Sequence, residues 1–255
     1  EQAQVLDITQ DEIGDRLPLV HGIWADGSLE AARIARMAAA GGASALLVFP
    51  PAPFTMGQNA GMALAHFKRI ADATDLPLIA FQYPLATGQG YRQDTLLRLC
   101  DEVPTLRAIK DWSNNVPQHE WHVRTLQSLP RPVNVLSTHS AWLFASLVLG
   151  CNGLLSGSGS VIADLQARLF RAVRANDLAE AKRINDRINP LARVFYADPA
   201  VDMHNRMKEA LVLLGKLPRT VVRPPLVKLG ELEIARIRQA LIDAGLLGAE
   251  RRDAA

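Results

Sequence analysis

Leu106-Arg107-Ala108-Ile109-Lys110-Asp111 is a short, largely apolar run that ends on a lysine and an acid. It reads as a buried strand. Alternate side chains of a strand share a face, so Lys110 points the same way as Leu106 and Ala108, and Asp111 points away. The chain has six lysines, at 68, 110, 182, 208, 216 and 228, and Lys110 alone closes a strand. An amine held against apolar neighbours loses solvation, which disfavours its ammonium form. A neutral amine can attack a carbonyl carbon and form a Schiff base. The plain alternative is a lysine at a strand end that reaches water.

Outward from this strand the chain keeps one rhythm. Residues 17–22, 45–49, 76–83, 133–137 and 153–156 also read as strands, continuously apolar or stopped by proline. Helices are expected over 4–14, 29–40, 60–73, 94–100, 117–129 and 141–149, with Asp26-Gly27-Ser28 as turn and N-cap of the second. Strands alternating with helices at a spacing of roughly 25 to 35 residues are the signature of parallel βα units. Strands apolar throughout are covered on both faces. From Val161 the rhythm stops, and 161–175, 178–195, 201–214 and 231–244 read as helices with no strand between them. The expected organisation is a βα barrel portion over 1–160. The last barrel helix and a helical extension then fill 161–255, within a single domain.

Composition narrows the function classes. The chain has 255 residues, 49% hydrophobic and 21% charged, enough for one large core or two small ones. The net charge is +2 and no basic patch is interleaved with aromatics, which argues against nucleic acid. Cys100 and Cys151 sit in apolar stretches and read as buried thiols of a reducing compartment. Residues 1–10 show no signal-peptide pattern, and the longest apolar runs are too short to span a bilayer. The expectation is a soluble, cytoplasmic protein without a membrane or nucleic-acid partner.

The residues of several of these stretches together resemble the dihydrodipicolinate synthase / N-acetylneuraminate lyase family of (β/α)8 TIM-barrel class I aldolases. The matching stretches are 17–22, the alanine-glycine turn and strand over 38–50, His66-Phe67-Lys68, 76–84 with Thr87-Gly88, Ile109-Lys110-Asp111, Leu136-Ser137, 150–156 and Arg223-Pro224-Pro225-Leu226. The resemblance implies a lyase, aldolase or dehydratase acting on pyruvate or a related 2-oxo acid, with no metal or organic cofactor. It also implies a homo-oligomer, a tetramer or dimer. In that family a strand-end lysine forms the Schiff base, and here that lysine is Lys110, at the strand end where barrel enzymes place such groups.

Two departures qualify the likeness. Phe81 stands where the family has a proton-relaying tyrosine, which argues against dihydrodipicolinate synthesis itself. Tyr83 lies two residues on, on the same face. It either brings a phenol to the site or packs at the rim. Gln82 points the other way and is expected to order the loop. The second departure is the strand count: six where a closed barrel needs eight. By alignment the first two strands are missing, and with them a Gly-Thr-Thr-Gly-like turn for the substrate carboxylate. The barrel is therefore expected to be N-terminally incomplete, a fragment in preference to an arc completed by a partner. These gaps also leave open a non-catalytic member that binds a 2-oxo acid or serves assembly.

Beyond Lys110, Tyr83 and Phe81, the residues expected to touch substrate are His139, after the fifth strand, and Ser156, at the end of the sixth. Each has a bland counterpart, a helix-capping histidine and a serine-glycine turn. Trp112 walls the site or packs under the next helix, and Asp111 is read as structural. His119 and His122 lack the His-Glu-x-x-His zinc spacing and read as a solvated helix face. Gly157-Ser158-Gly159 has no cation beside it to support a phosphate site, and Ser137, His139 and Asp111 form no recognisable nucleophilic triad.

Overall fold

A computed structural model describes residues 1–248. In chain order the elements are α1 (Gln2–Ile13), β1 (Val20–Ile23), α2 (Ser28–Ala40), β2 (Ala45–Val48), α3 (Ala60–Ala71), β3 (Leu78–Gln82), α4 (Gln93–Glu102) and β4 (Leu106–Asp111). There follow α5 (Val116–Leu126), β5 (Asn134–Ser137), α6 (Leu143–Val148), β6 (Gly153–Leu154), α7 (Gly159–Arg174), α8 (Leu178–Phe195), α9 (Met203–Leu213) and α10 (Glu231–Asp243). The six strands form one sheet whose spatial order follows the chain, and β1 to β5 pair in parallel. The fold is therefore α/β with six strands and flanking helices.

The chain forms two compact units. The first is Glu1–Ser137 with Leu149–Gly153, and the second is Thr138–Val148 with the described residues from Leu154 onward.

In the first unit the two faces of the sheet differ. Ile23, Leu46, Val48, Leu78, Ala80 and Ile109 are almost completely buried. The opposite face carries Val20, which is 43% exposed, then Leu47, Ile79, Phe81, Ala108 and Lys110. Side-chain caps fix helix starts on this unit: Asn59 accepts from the Met62 amide at 3.0 Å, and Asn115 accepts from the Gln118 amide at 2.9 Å. The expected cap at 26–28 takes another form. The N-cap of α2 is Gly27 without a side-chain bond, and the Ser28 hydroxyl instead meets His66 Nδ1 at 2.9 Å. Both cysteines are buried free thiols, as their apolar surroundings imply.

Gly88 shows where the chain tolerates no side chain. Its φ is +75°, and a Cβ there would lie 2.7 Å from the carbonyl oxygens of Phe54 and Thr55. Gly88→Ala is expected to destabilise by about 2 kcal/mol, from left-handed backbone and the clash together. Urea denaturation measures it, and an unchanged midpoint would show that the loop relaxes freely.

In the second unit, α8 packs against α7, α9 and α10. Its core is built from Leu165, Leu169, Ile184, Leu191, Phe195 and Leu241. Arg206 is buried within it: Nε donates to Glu233 Oε1 at 2.6 Å, and NH1 donates to the Ala197 carbonyl at 2.6 Å. Two expectations are corrected here. The helix over 201–214 begins as a separate 3-10 turn, Ala200–Asp202, set by Pro199 before α9. The last strand is two residues long and not four, because the chain turns at Ser156, whose carbonyl accepts from the Gly159 amide at 3.0 Å.

Candidate active site

Lys110 is the penultimate residue of β4, in register with Phe81 on β3 and Leu136 on β5. Register neighbours share a face, so the amine and the phenyl ring are adjacent. Lys110 Nζ stands 4.4 Å from the centre of the Phe81 ring. The ring face favours a cation, but burial works against it and dominates. Desolvation brings the amine down to about 8 from its usual 10.5. At pH 7 about a tenth of the side chains are then neutral, against roughly one in 3,000 for an ordinary lysine.

A run of aromatic rings extends on either side of the Phe81 ring that faces the amine. Trp24 follows β1 directly, Phe49 follows β2, Phe81 and Tyr83 stand at the end of β3, and Trp112 follows β4. Ring centres are 5.3 Å apart for Trp24 and Phe49, 5.0 Å for Phe49 and Phe81, and 4.4 Å for Phe81 and Tyr83. Trp112 closes the group, 5.4 Å from Tyr83 and 6.3 Å from Phe81. Trp112 therefore joins the run instead of packing under the next helix. Burial pushes the Tyr83 phenol above its usual range, so it keeps its proton at neutral pH. Gln82, on the other face, is fully buried. Its Nε2 donates to the Tyr83 carbonyl at 2.9 Å, and its Oε1 accepts from the Tyr91 amide at 3.2 Å, which orders the loop after β3.

Asp111 also turns to that face, and here the sequence reading needs correction. His119 and His122 are not solvated: both are fully buried on α5. Both point Nδ1 at the same carboxylate oxygen of Asp111, at 2.8 and 2.7 Å, and the Ser113 amide donates to the other oxygen at 2.8 Å. A carboxylate only accepts, so each Nδ1 carries a proton and offers no lone pair to a metal. Burial alone would lower the His119 pKa, but its hydrogen bonds to Asp111 and to Cys151, with the charge of the Asp111 carboxylate, outweigh that and raise it to about 9. The missed signal is spacing: 119, 122, 123 and 126 are one helical stripe, with Val123 and Leu126 buried beside the histidines.

Of the residues expected to act, Lys110, Phe81 and Tyr83 are brought together in the first unit. His139 and Ser156 belong to the second. His139 is buried and stacks on Trp142, ring centres 4.0 Å apart. Ser156 sits in a hydroxyl cluster. Its Oγ is 2.8 Å from Ser140 Oγ and 3.1 Å from Ser158 Oγ, and it accepts from Gln166 Nε2 at 3.1 Å. The Tyr196 hydroxyl completes the cluster, accepting from Ser140 Oγ at 2.9 Å and from the Ser158 amide at 3.1 Å. Tyr196 was not singled out by the sequence, because it lies on the end of a helix that looks purely structural.

A parallel α/β sheet with a half-dried lysine at a strand end and aromatic residues beside it fits the Schiff-base barrel enzymes. Comparison with known proteins agrees. The profile of the "Dihydrodipicolinate synthetase family" matches residues 1–244, and the chain belongs to that family. The 4-hydroxy-tetrahydrodipicolinate synthase of Maridesulfovibrio salexigens is 28% identical over 247 residues, covering 97% of this chain and 82% of the relative. That of Neisseria meningitidis is also 28% identical, with 97% and 81% covered. Among solved structures, dihydrodipicolinate synthase of Thermotoga maritima superposes with a TM-score of 0.88 at 21% identity, over 97% of this chain and 82% of that one. The Acinetobacter baumannii synthase complexed with pyruvate gives 0.84 at 27% identity, over 96% and 81%. Among the described residues no helix is long and apolar enough to cross a membrane.

Proposed function

We propose that the protein is a Schiff-base-forming lyase or aldolase that acts on pyruvate or a related 2-oxo acid, with Lys110 as nucleophile. The observation that carries the reading is the Lys110 amine, held beside the Phe81 ring with a pKa of about 8. The neutral amine adds to the keto carbon, water leaves, and the iminium draws electrons from the adjacent carbon, whose bonds then form or break. Membership of the family supports this chemistry, and a relative complexed with pyruvate supports the substrate class.

Tyr83 is the proposed proton carrier in place of the phenol absent at Phe81, since its own phenol stays protonated and its ring lies 4.4 Å from that of Phe81. For His139 and Ser156 we propose contacts to polar groups of the substrate, on the chemistry of imidazole and hydroxyl. A homo-oligomer is proposed on family grounds alone.

The reading makes a prediction about pH. Imine formation needs the free amine, so its rate with pyruvate should rise about tenfold per pH unit below 8 and level off above it. Borohydride quenching at timed intervals measures this. A rate still climbing tenfold per unit past pH 9 would mean that the reacting amine is an ordinary surface lysine.

A further inference from the structure

Ser28 and His66 form a pair that the chemistry at Lys110 does not use. Both lie in the first unit, Ser28 at the start of α2 and His66 on α3. The Ser28 hydroxyl stands 2.9 Å from His66 Nδ1. The imidazole is 2% exposed, and its Nε2 is sealed from solvent with no hydrogen-bond partner. Phe54 and Phe67 flank it, ring centres 6.3 and 5.9 Å away. Burial brings the ring down to about 4, so at pH 7 it is neutral and keeps a lone pair. Ser28 itself is partly exposed, where the chain turns from β1 into α2. That helix has no side-chain cap, and its first backbone bond runs from the Ala31 amide to the Gly27 carbonyl at 3.0 Å. The amides of Ser28, Leu29 and Glu30 precede that bond and have no acceptor within the helix. A serine kept for capping would occupy position 27 and bond those amides. This one stands one residue further in and turns its hydroxyl to His66. A hydroxyl at a strand-to-helix turn, a neutral imidazole against it and open first-turn amides beside it are the parts that acyl transfer uses.

We propose that Ser28 is a second nucleophile of this protein, with His66 as its base, and that it takes the acyl group of an activated ester. His66 carries its proton on Nε2 and accepts at Nδ1. Ser28 Oγ attacks the ester carbon, the hydroxyl proton passes to Nδ1, and the carbonyl oxygen becomes an oxyanion beside the first-turn amides. Collapse breaks the bond to the alcohol oxygen. The alcohol leaves with the proton that His66 holds, and the acyl group stays on Ser28 as an ester. Water repeats the sequence and releases the carboxylic acid. A base this deeply buried holds a proton poorly, so the site suits esters with a good leaving group, such as a nitrophenol.

The full chain is treated with para-nitrophenyl acetate, sampled over time and digested for peptide mass spectrometry. Hydroxylamine sorts the products, because it cleaves a serine ester and spares the amide that a lysine such as Lys110 would give. The expected result is a hydroxylamine-labile acetyl group on the Ser28 peptide, absent from Ser28→Ala. It should form about tenfold or more slower in His66→Gln, the loss of a general base, and slower in deuterium oxide. The isotope effect reads the proton transfer in the parent protein, so it decides even where His66→Gln does not fold. A Ser28 peptide without the label overturns the proposal. So does labelling at an unchanged rate in deuterium oxide or in a folded His66→Gln. Lys110 takes no part, so failure here leaves the Schiff-base reading standing.

Discussion

Lys110→Ala is expected to lower turnover of any 2-oxo acid substrate by roughly 10³-fold or more, the order found when a covalent nucleophile is removed. The reason is that no neighbouring group can replace it. Among the described residues Lys110 is the one lysine on a strand, and its register partners are Phe81 and Leu136, neither of which is a nucleophile. The loss should fall on kcat, because the alanine variant keeps the aromatic run. It should not come from unfolding. The amine is lowered to about 8 in the fold, while the unfolded chain has the ordinary 10.5. The unfolded state therefore binds more protons between those values, and this group makes stability rise with pH across that window. Below it the fold carries a charge that burial disfavours. Lys110→Met, which keeps the stem and removes the charge, should therefore melt no lower than the parent at pH 7. Steady-state kinetics and thermal melts on both variants separate the two effects. Turnover by Lys110→Ala within tenfold of the parent would remove the lysine from the chemistry.

Asp111→Ala is the largest expected stability loss, about 3–5 kcal/mol, because it takes one partner from a buried charged group and leaves the others unpaired. Two imidazoles and the Ser113 amide lose their acceptor together. The pH dependence follows from His119. Its folded pKa of about 9 lies above the ordinary 6.5 of the unfolded chain. Its contribution is complete below pH 6.5 and is lost as pH rises through 9. This slope is opposite in sign to that of Lys110. In the Asp111→Asn variant the alkaline loss from His119 should shrink, which urea titrations at pH 6 and pH 9 would show. Equal stability of Asp111→Ala and parent would mean that the histidines find other partners.

The strand that organises the fold was legible because its code is local. Alternation along β4 places Lys110 and Asp111 on opposite faces without knowledge of any neighbour. The run from β1 to β5 was legible for the same reason, as was the change to helices after Val161. What the sequence hid was pairing across elements. Histidines at 119 and 122 look solvated until Asp111, eight and eleven residues away, is seen to need donors. Ser156 looks like a strand end until its carbonyl is seen to accept from the Gly159 amide and turn the chain. The aromatic run was hidden in a third way. Trp24, Phe49 and Trp112 lie just past separate strand ends, and only the parallel register sets those ends side by side.

Borohydride reduction of the full chain in the presence of pyruvate, followed by peptide mass spectrometry, reaches the central claim most directly. One pyruvate-derived adduct on the peptide containing Lys110 is the predicted result. A peptide unmodified at Lys110 after saturating pyruvate and reductant, or adducts spread evenly over Lys68, Lys182 and Lys208, would contradict it.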